Sequence, residues 1–193
     1  MKQKKYLAFS KALKSVMSPK ASLICEALME HGASTVAEVS ELTRINRVSV
    51  STMLNRIKKK GVIVEVDAPE GKKRAPGAKW HHYEVRSDFA PLFRQSKAAL
   101  PKVRILGCDR CNDIVEAYKR SKDQLSASDV KELLKGEYPT GIENLHSDYT
   151  RLRKAKLLIP VTEKRGCKRI YYLNINLIAD IDKTVDSVLS LLT

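Results

Sequence analysis

In the stretch NRVSVSTMLNRIKKK, residues 46–60, the side chains suited to recognition are Arg47, Val48, Ser49, Thr52, Asn55, Arg56 and Lys59. Val50, Leu54 and Ile57 recur among them at i, i+4 and i+7, which gives a helix one narrow stripe to bury. The remaining side presents short hydrogen-bonding groups, a small apolar group and cations. Hydroxyls and amides match the donors and acceptors on base edges, and guanidinium and ammonium groups neutralise phosphate, so this side suits a duplex major groove. Asn46 is placed to cap the helix start, and Gly61 follows three lysines where the helix should stop. The β-branched run Val62, Ile63 and Val64 predicts a strand directly after it.

Other chemistry is sparsely supplied. Cys108 and Cys111 have zinc-ligand spacing, but no second Cys-x-x-Cys or His pair follows at a finger-like distance. Cys167 and the adjacent His81 and His82 would join such a site only through the fold, so no metal is expected and the thiols should be free. No phosphate-binding Gly loop and no nucleophile–base pair stands out. The carboxylates are scattered, where a nuclease would need them clustered around metal ions. The sequence therefore predicts no enzyme and no cofactor. His146 lies on a helix where it could meet a phosphate or a base, or simply solvent.

Elements are needed to position these groups. Tyr6, Phe9, Leu13 and Val16 form an apolar stripe on a basic first helix, residues 4–17. Ser18-Pro19 restarts the chain as N-cap and first helical residue. The helix over 20–30 should bury Leu23, Ile24, Ala27 and Leu28 and close at Gly32. Thr35 and Glu38 have capping-box spacing for a short helix to Thr43, with Val36, Val39 and Leu42 as its stripe. After the strand comes APEGKKRAPGAK, a basic loop with Lys72, Lys73, Arg74 and Lys79, then a return strand over 80–85. Residues 88–107 read as a connector with a short helix around Phe89, Leu92 and Phe93, interrupted at Pro101.

The same order then recurs. Residues 113–122 predict a helix burying Ile114, Val115 and Tyr118. Ser126 and Asp129 open a short helix carrying Val130, Leu133 and Leu134, and a third helix over 142–156 buries Ile142, Leu145, Tyr149 and Leu152. Strands at 157–159 and 170–173 flank a loop with Lys164, Arg165, Lys168 and Arg169. Val39 and Leu42 correspond to Val130 and Leu133 at an offset of 91, and Val50, Leu54 and Ile57 to Leu145, Tyr149 and Leu152 at 95. Thr52, Asn55, Arg56 and Lys59 then match Ser147, Thr150, Arg151 and Lys154, so the polar face is repeated. Glu143 and Asp148, on or near the second such helix, would repel phosphate. The expected division is residues 1–87, a connector 88–107, and 108–193. A final helix carries Ile178, Ile181, Val185, Val188 and Leu192 at heptad spacing. It is expected to pack on its own domain or the N-terminal helix, with a homodimer through the terminal helices as the alternative.

The totals agree with a polyanionic partner. The 193 residues hold 36 Lys and Arg against 22 Asp and Glu, a formal charge of +14, and the cations cluster at loops and helix ends. No apolar run approaches the roughly 20 residues that span a bilayer. The basic N-terminus lacks an uninterrupted apolar core, so no signal peptide is expected and a cytoplasmic, nucleoid-associated protein is.

VSVSTMLNRIKKKGVIVEV, with the helix before it and the basic loop after it, resembles winged-helix transcription regulators of the multiple-antibiotic-resistance and arsenic-repressor type. The resemblance implies a mostly α fold with small β wings (α+β), here as tandem winged helix-turn-helix domains with flanking N- and C-terminal helices. It also implies that the third helix of each module enters the major groove and that the wing follows the backbone or minor groove. Ser49, Thr52, Asn55 and Arg56 would then face bases or flanking phosphates, with Lys72, Lys73 and Arg74 in the wing. The second module is less similar, though Lys164, Arg165, Lys168 and Arg169 still favour backbone contact. The function expected is sequence-specific binding of double-stranded DNA by a transcriptional regulator. A plasmid or phage replication initiator and a protein-interaction scaffold are the alternatives.

Overall fold

The computed structural model describes residues 2–14, 16–68, 81–121, 124–135, 145–161 and 169–192. Among these the chain is mostly helical, with two small three-stranded antiparallel sheets. The helices are α1 (Lys2–Leu13), α2 (Pro19–His31), α3 (Val36–Thr43), α4 (Arg47–Lys58), α5 (Ala90–Leu106), α6 (Asp109–Ser121), α7 (Ala127–Leu133), α8 (Leu145–Lys154) and α9 (Ile175–Leu192). The strands are β1 (Ser34–Thr35), β2 (Ile63–Val66), β3 (His82–Val85), β4 (Leu125–Ser126), β5 (Leu158–Pro160) and β6 (Ile170–Leu173). Two compact units result, Lys11–Lys97 with Ser187–Thr193, and Met1–Ser10 with Ala98–Asp186. The first ten residues thus group with the second repeat rather than the first. Tyr6 explains part of this: it is buried, and its hydroxyl donates to Asp182 Oδ1 at 2.7 Å. Lys5 pairs with Asp182 at 3.3 Å and Asp186 at 2.9 Å.

In the first unit α2, β1, α3, α4, β2 and β3 follow in order, and the sheet runs β1-β3-β2. In the second, α6, β4, α7, α8, β5 and β6 give β4-β6-β5. Several bonds recur in both copies. Thr35 and Glu38 form a capping box at α3, and Ser126 and Asp129 form one at α7. Val62 N–H donates to Ile57 O, as Leu157 N–H does to Leu152 O; Arg86 N–H donates to Val62 O, as Asn174 N–H does to Leu157 O. The turn after the long helix needs one left-handed residue, supplied by Gly61 (φ 67°) in one copy and Lys156 (φ 59°) in the other. Its carbonyl is held by Arg86 Nη1 at 2.9 Å or Asn174 Nδ2 at 3.2 Å.

The cores follow the apolar stripes with four corrections. Val39, Val50, Leu54, Ile57, Ile24 and Leu28 are buried in the first unit, and Val130, Leu145, Tyr149, Leu152, Ile114, Val115 and Tyr118 in the second. Leu23, Leu42 and Leu133, by contrast, are 49%, 45% and 56% exposed. Each sits at the edge of its stripe, and short helices such as α3 and α7 bury little beyond one central residue; in the second unit Leu134 is buried instead. The fourth is Pro101, which lies inside α5 without ending it. A Pro inside a helix costs ~3 kcal/mol relative to Ala. Phe93, Leu100, Val103 and Leu106 are buried along α5, and burial worth about 1.5–3 kcal/mol per large side chain outweighs that cost. The heptad positions Ile178, Ile181, Val185 and Val188 of α9 are buried within the single chain.

Candidate nucleic-acid interface

The turn into α4 is fixed by side chains acting on the backbone. Thr43 Oγ1 donates to Val39 O at 2.6 Å, and Ser40 Oγ donates to Ile45 O at 2.6 Å. Arg44 adopts a left-handed conformation (φ 56°), and Asn46 Oδ1 then accepts from Ser49 N–H at 2.8 Å, capping α4. The helix ends at Lys58, so Lys59 and Lys60 belong to the turn rather than the last helical residues.

Burial of Val50, Leu54 and Ile57, each at 0% exposure, turns the opposite side of α4 to solvent. Arg47, Val48, Thr52, Asn55, Arg56 and Lys59 are all exposed, Val48 at 79%, and Ser49 is half-buried at the edge. Thr52 Oγ1 donates to Val48 O at 2.9 Å, which leaves its oxygen free to accept. Arg47 stands 3.8 Å from Glu41, both well exposed, a contact too screened to hold it. Arg56 and Lys59 have no ion-pair partner among the described residues.

At the foot of the following hairpin, Lys58 and His81 both engage the Glu65 carboxylate. The hydrogen bond from Lys58, then that of His81, holds the Glu65 carboxyl below the usual range. Sequence reading missed this cluster because its members lie on α4, on β2 and just before β3. His82, next along β3, is buried, and its Nδ1 has no hydrogen-bond partner among the described residues. His81 and His82 therefore do not act together.

In the second unit His146, Ser147, Arg151 and Lys154 are exposed on α8, Thr150 is half-buried, and Arg169 is exposed before β6. Asp148 departs from expectation. Its carboxylate is buried rather than on the groove side, because position 148 falls on the stripe of Leu145, Tyr149 and Leu152. Arg110 Nη2 lies 2.8 Å from Oδ2, an ion pair by distance though without an aligned N–H, and Arg151 Nη1 lies 3.7 Å from Oδ1. Arg151 also reaches Cys108 Sγ at 3.9 Å, so it is partly turned towards α6. Cys111 Sγ donates to Asp148 Oδ1 at 3.7 Å, and burial pushes its thiol up to about 12. Among the described residues no group of three or more His, Cys, Asp or Glu side chains is gathered for a metal ion.

Of the expected contact residues, Lys72, Lys73, Arg74, Lys79, Lys164, Arg165 and Lys168 lie outside the described residues, as do Trp80, Ile142, Glu143 and Cys167. The structure brings Val48, Thr52, Asn55 and Arg56 onto one exposed side of α4, with Arg47 exposed in its first turn and Lys59 exposed in the turn that follows it. Among the described residues no helix is long and apolar enough to cross a membrane. No protein-family model matches the chain, and no curated protein sequence does either.

Proposed function

We propose that the chain is a double-stranded DNA-binding protein built from two tandem winged helix-turn-helix modules, and that it acts as a transcriptional regulator. The observation that carries this reading is α4. Three fully buried residues hold its inner side, while Val48, Thr52, Asn55, Arg56 and Lys59 stand in solvent on the other. Such a helix, entered through a tight turn from a second helix and followed by a hairpin, is a suitable reader of a major groove. The repeated topology supports a second module alongside it, with Arg151 half committed to Asp148 and Lys154 and Arg169 free for phosphate.

On this reading charge supplies affinity, and α4 supplies most of the sequence choice. The test is selection of bound sequences from a random duplex pool, followed by a salt titration on the selected duplex. Contacts from Arg47, Arg56, Lys59, Arg151, Lys154 and Arg169 predict a loss of roughly a thousandfold between about 50 and 200 mM salt. Recovery of no preferred sequence, or an affinity indifferent to salt, would overturn the proposal.

A further inference from the structure

The two copies differ at one place where their backbones match. Glu65 pairs in register with Tyr83, and Pro160 pairs in register with Tyr171. Pro160 therefore occupies the position of Glu65, the carboxylate that gathers Lys58 and His81. Around it, the positions of Lys58 and His81 are taken by Arg153 and Arg169. The second unit thus has two guanidiniums where the first has Lys58 and His81, and a proline where the first has the carboxylate. Neither arginine has an ion-pair partner among the described residues.

These arginines border a cavity of about 400 Å³ between the start of α7, one side of α8 and β6. Lys131 and His146 also line it, and its floor includes the edges of Tyr149 and Tyr171, which are 4% and 5% exposed and whose ring centroids lie 5.3 Å apart at 51°. A volume of this order is typical of small-molecule sites, which combine apolar walls with a few placed polar groups. Guanidinium groups match phosphate oxygens two at a time. A bare inorganic anion would use the cations and waste the aromatic floor.

We propose that this cavity binds a phosphate-bearing small molecule of nucleotide class, the phosphate held by Arg153 and Arg169 and the base set against Tyr149 and Tyr171. The site stands whether or not α4 reads DNA, because it rests on the second unit alone.

The test uses the full chain and calorimetric titration with adenosine monophosphate, adenosine, inorganic phosphate and a duplex. Adenosine monophosphate should bind, with adenosine and phosphate each at least about tenfold weaker. Arg153→Gln with Arg169→Gln should cost about tenfold to a hundredfold, the loss of charge-assisted hydrogen bonds to the phosphate. Pro160→Glu restores the carboxylate of the first unit and should weaken binding by about tenfold, with the melting temperature confirming a folded chain. Glu65→Gln should leave nucleotide affinity unchanged. Equal affinity for adenosine and its monophosphate, or no response to Pro160→Glu in a folded protein, would overturn the proposal. So would arginines that matter only for the duplex, which would make the cavity part of a backbone clamp.

Discussion

Arg56 and Arg151 occupy matched positions in the two copies, and the same substitution should do different things to them. Arg56 is exposed and without an ion-pair partner among the described residues, so Arg56→Ala should change folding stability by less than about 0.5 kcal/mol. Its loss should be felt in binding, by about 1–3 kcal/mol on the preferred duplex. Arg151 stands 3.7 Å from a carboxylate that is 7% exposed. Two unit charges about 4 Å apart interact by ~4 kcal/mol at an effective dielectric of ~20. The Arg151 side chain is itself 49% exposed, and Arg110 remains at 2.8 Å, so solvent screening and the surviving partner reduce the cost of Arg151→Ala to ~1 kcal/mol of stability. Its effect on the duplex should be smaller than that of Arg56→Ala. Asp148→Asn releases Arg151 and removes a negative charge, and should tighten duplex binding several-fold. Thermal unfolding and fluorescence anisotropy on one selected duplex measure both quantities in all variants. If Arg56→Ala binds that duplex like the parent while remaining folded, the outward side of α4 is not the reading surface. If Arg151→Ala lowers binding as much as Arg56→Ala without loss of stability, the Asp148 contact does not restrain it.

The left-handed turn offers a second comparison. Lys156→Gly removes a strain of roughly 1–2 kcal/mol, partly offset by the flexibility glycine adds to the unfolded chain, for a net gain of about 0.5–1 kcal/mol in denaturant unfolding. Gly61→Ala should lose about 1 kcal/mol, its Cβ 3.4 Å from Arg86 Nη1 and its φ at +67°. Alkali should unfold the protein. Burial first, then a hydrogen bond to Asp182 or Tyr118, raises the phenols of Tyr6 and Tyr149, and burial pushes Tyr118 up to about 12. A raised phenol contributes stability that is complete below the ordinary value of 10.0 and is lost as pH rises through the folded value. The melting temperature should hold below that pH and fall above it, with these three tyrosinates appearing together by ultraviolet absorbance; their ionisation one by one in a folded chain would contradict the burial. Cys25 and Cys111, both pushed up to about 12 by burial, should alkylate at mildly alkaline pH only as fast as the chain opens. Rapid modification of either in the native protein would place it at the surface.

Local chemistry was the most legible part of the chain. Asn46, Ser18, Thr35 with Glu38, and Ser126 with Asp129 each cap the helix their spacing assigned them, because a cap is decided within four residues. The buried triplet of α4 was legible for the same reason. What failed depended on partners distant in sequence. Leu42 and Leu133 are apolar and correctly spaced, yet nothing covers them enough to bury them. Pro101 is tolerated because the apolar side chains of α5 are buried, which no window around the proline reveals. Asp148 carried a usable signal, since it lies three residues after Leu145 and four before Leu152. Its acidity suggested an outward side chain, while Arg110 from α6 makes the inward one tolerable.

The internal repeat turns that last point into an electrostatic comparison between two scaffolds of the same topology. Gly61 and Lys156, Arg86 and Asn174, and the capping boxes perform the same backbone work in the two units, so the placement of charge can be compared position by position. In the first unit the carboxylate sits beside the hairpin and gathers Lys58 and His81, leaving Arg56 and Lys59 unpaired among the described residues on the outer side of the fold. In the second, Pro160 stands in the place of Glu65 and a different carboxylate, Asp148, lies buried beneath α8 beside Arg151; Arg153 and Arg169 are left unpaired among the described residues around a cavity. The presence of Glu65 in the first hairpin and of Pro160 in the second thus bears on which cations remain available to an outside anion. Exchanging the two arrangements, with Glu65→Pro in one unit and Pro160→Glu in the other, should shift available positive charge from the cavity to the first hairpin while both folds persist.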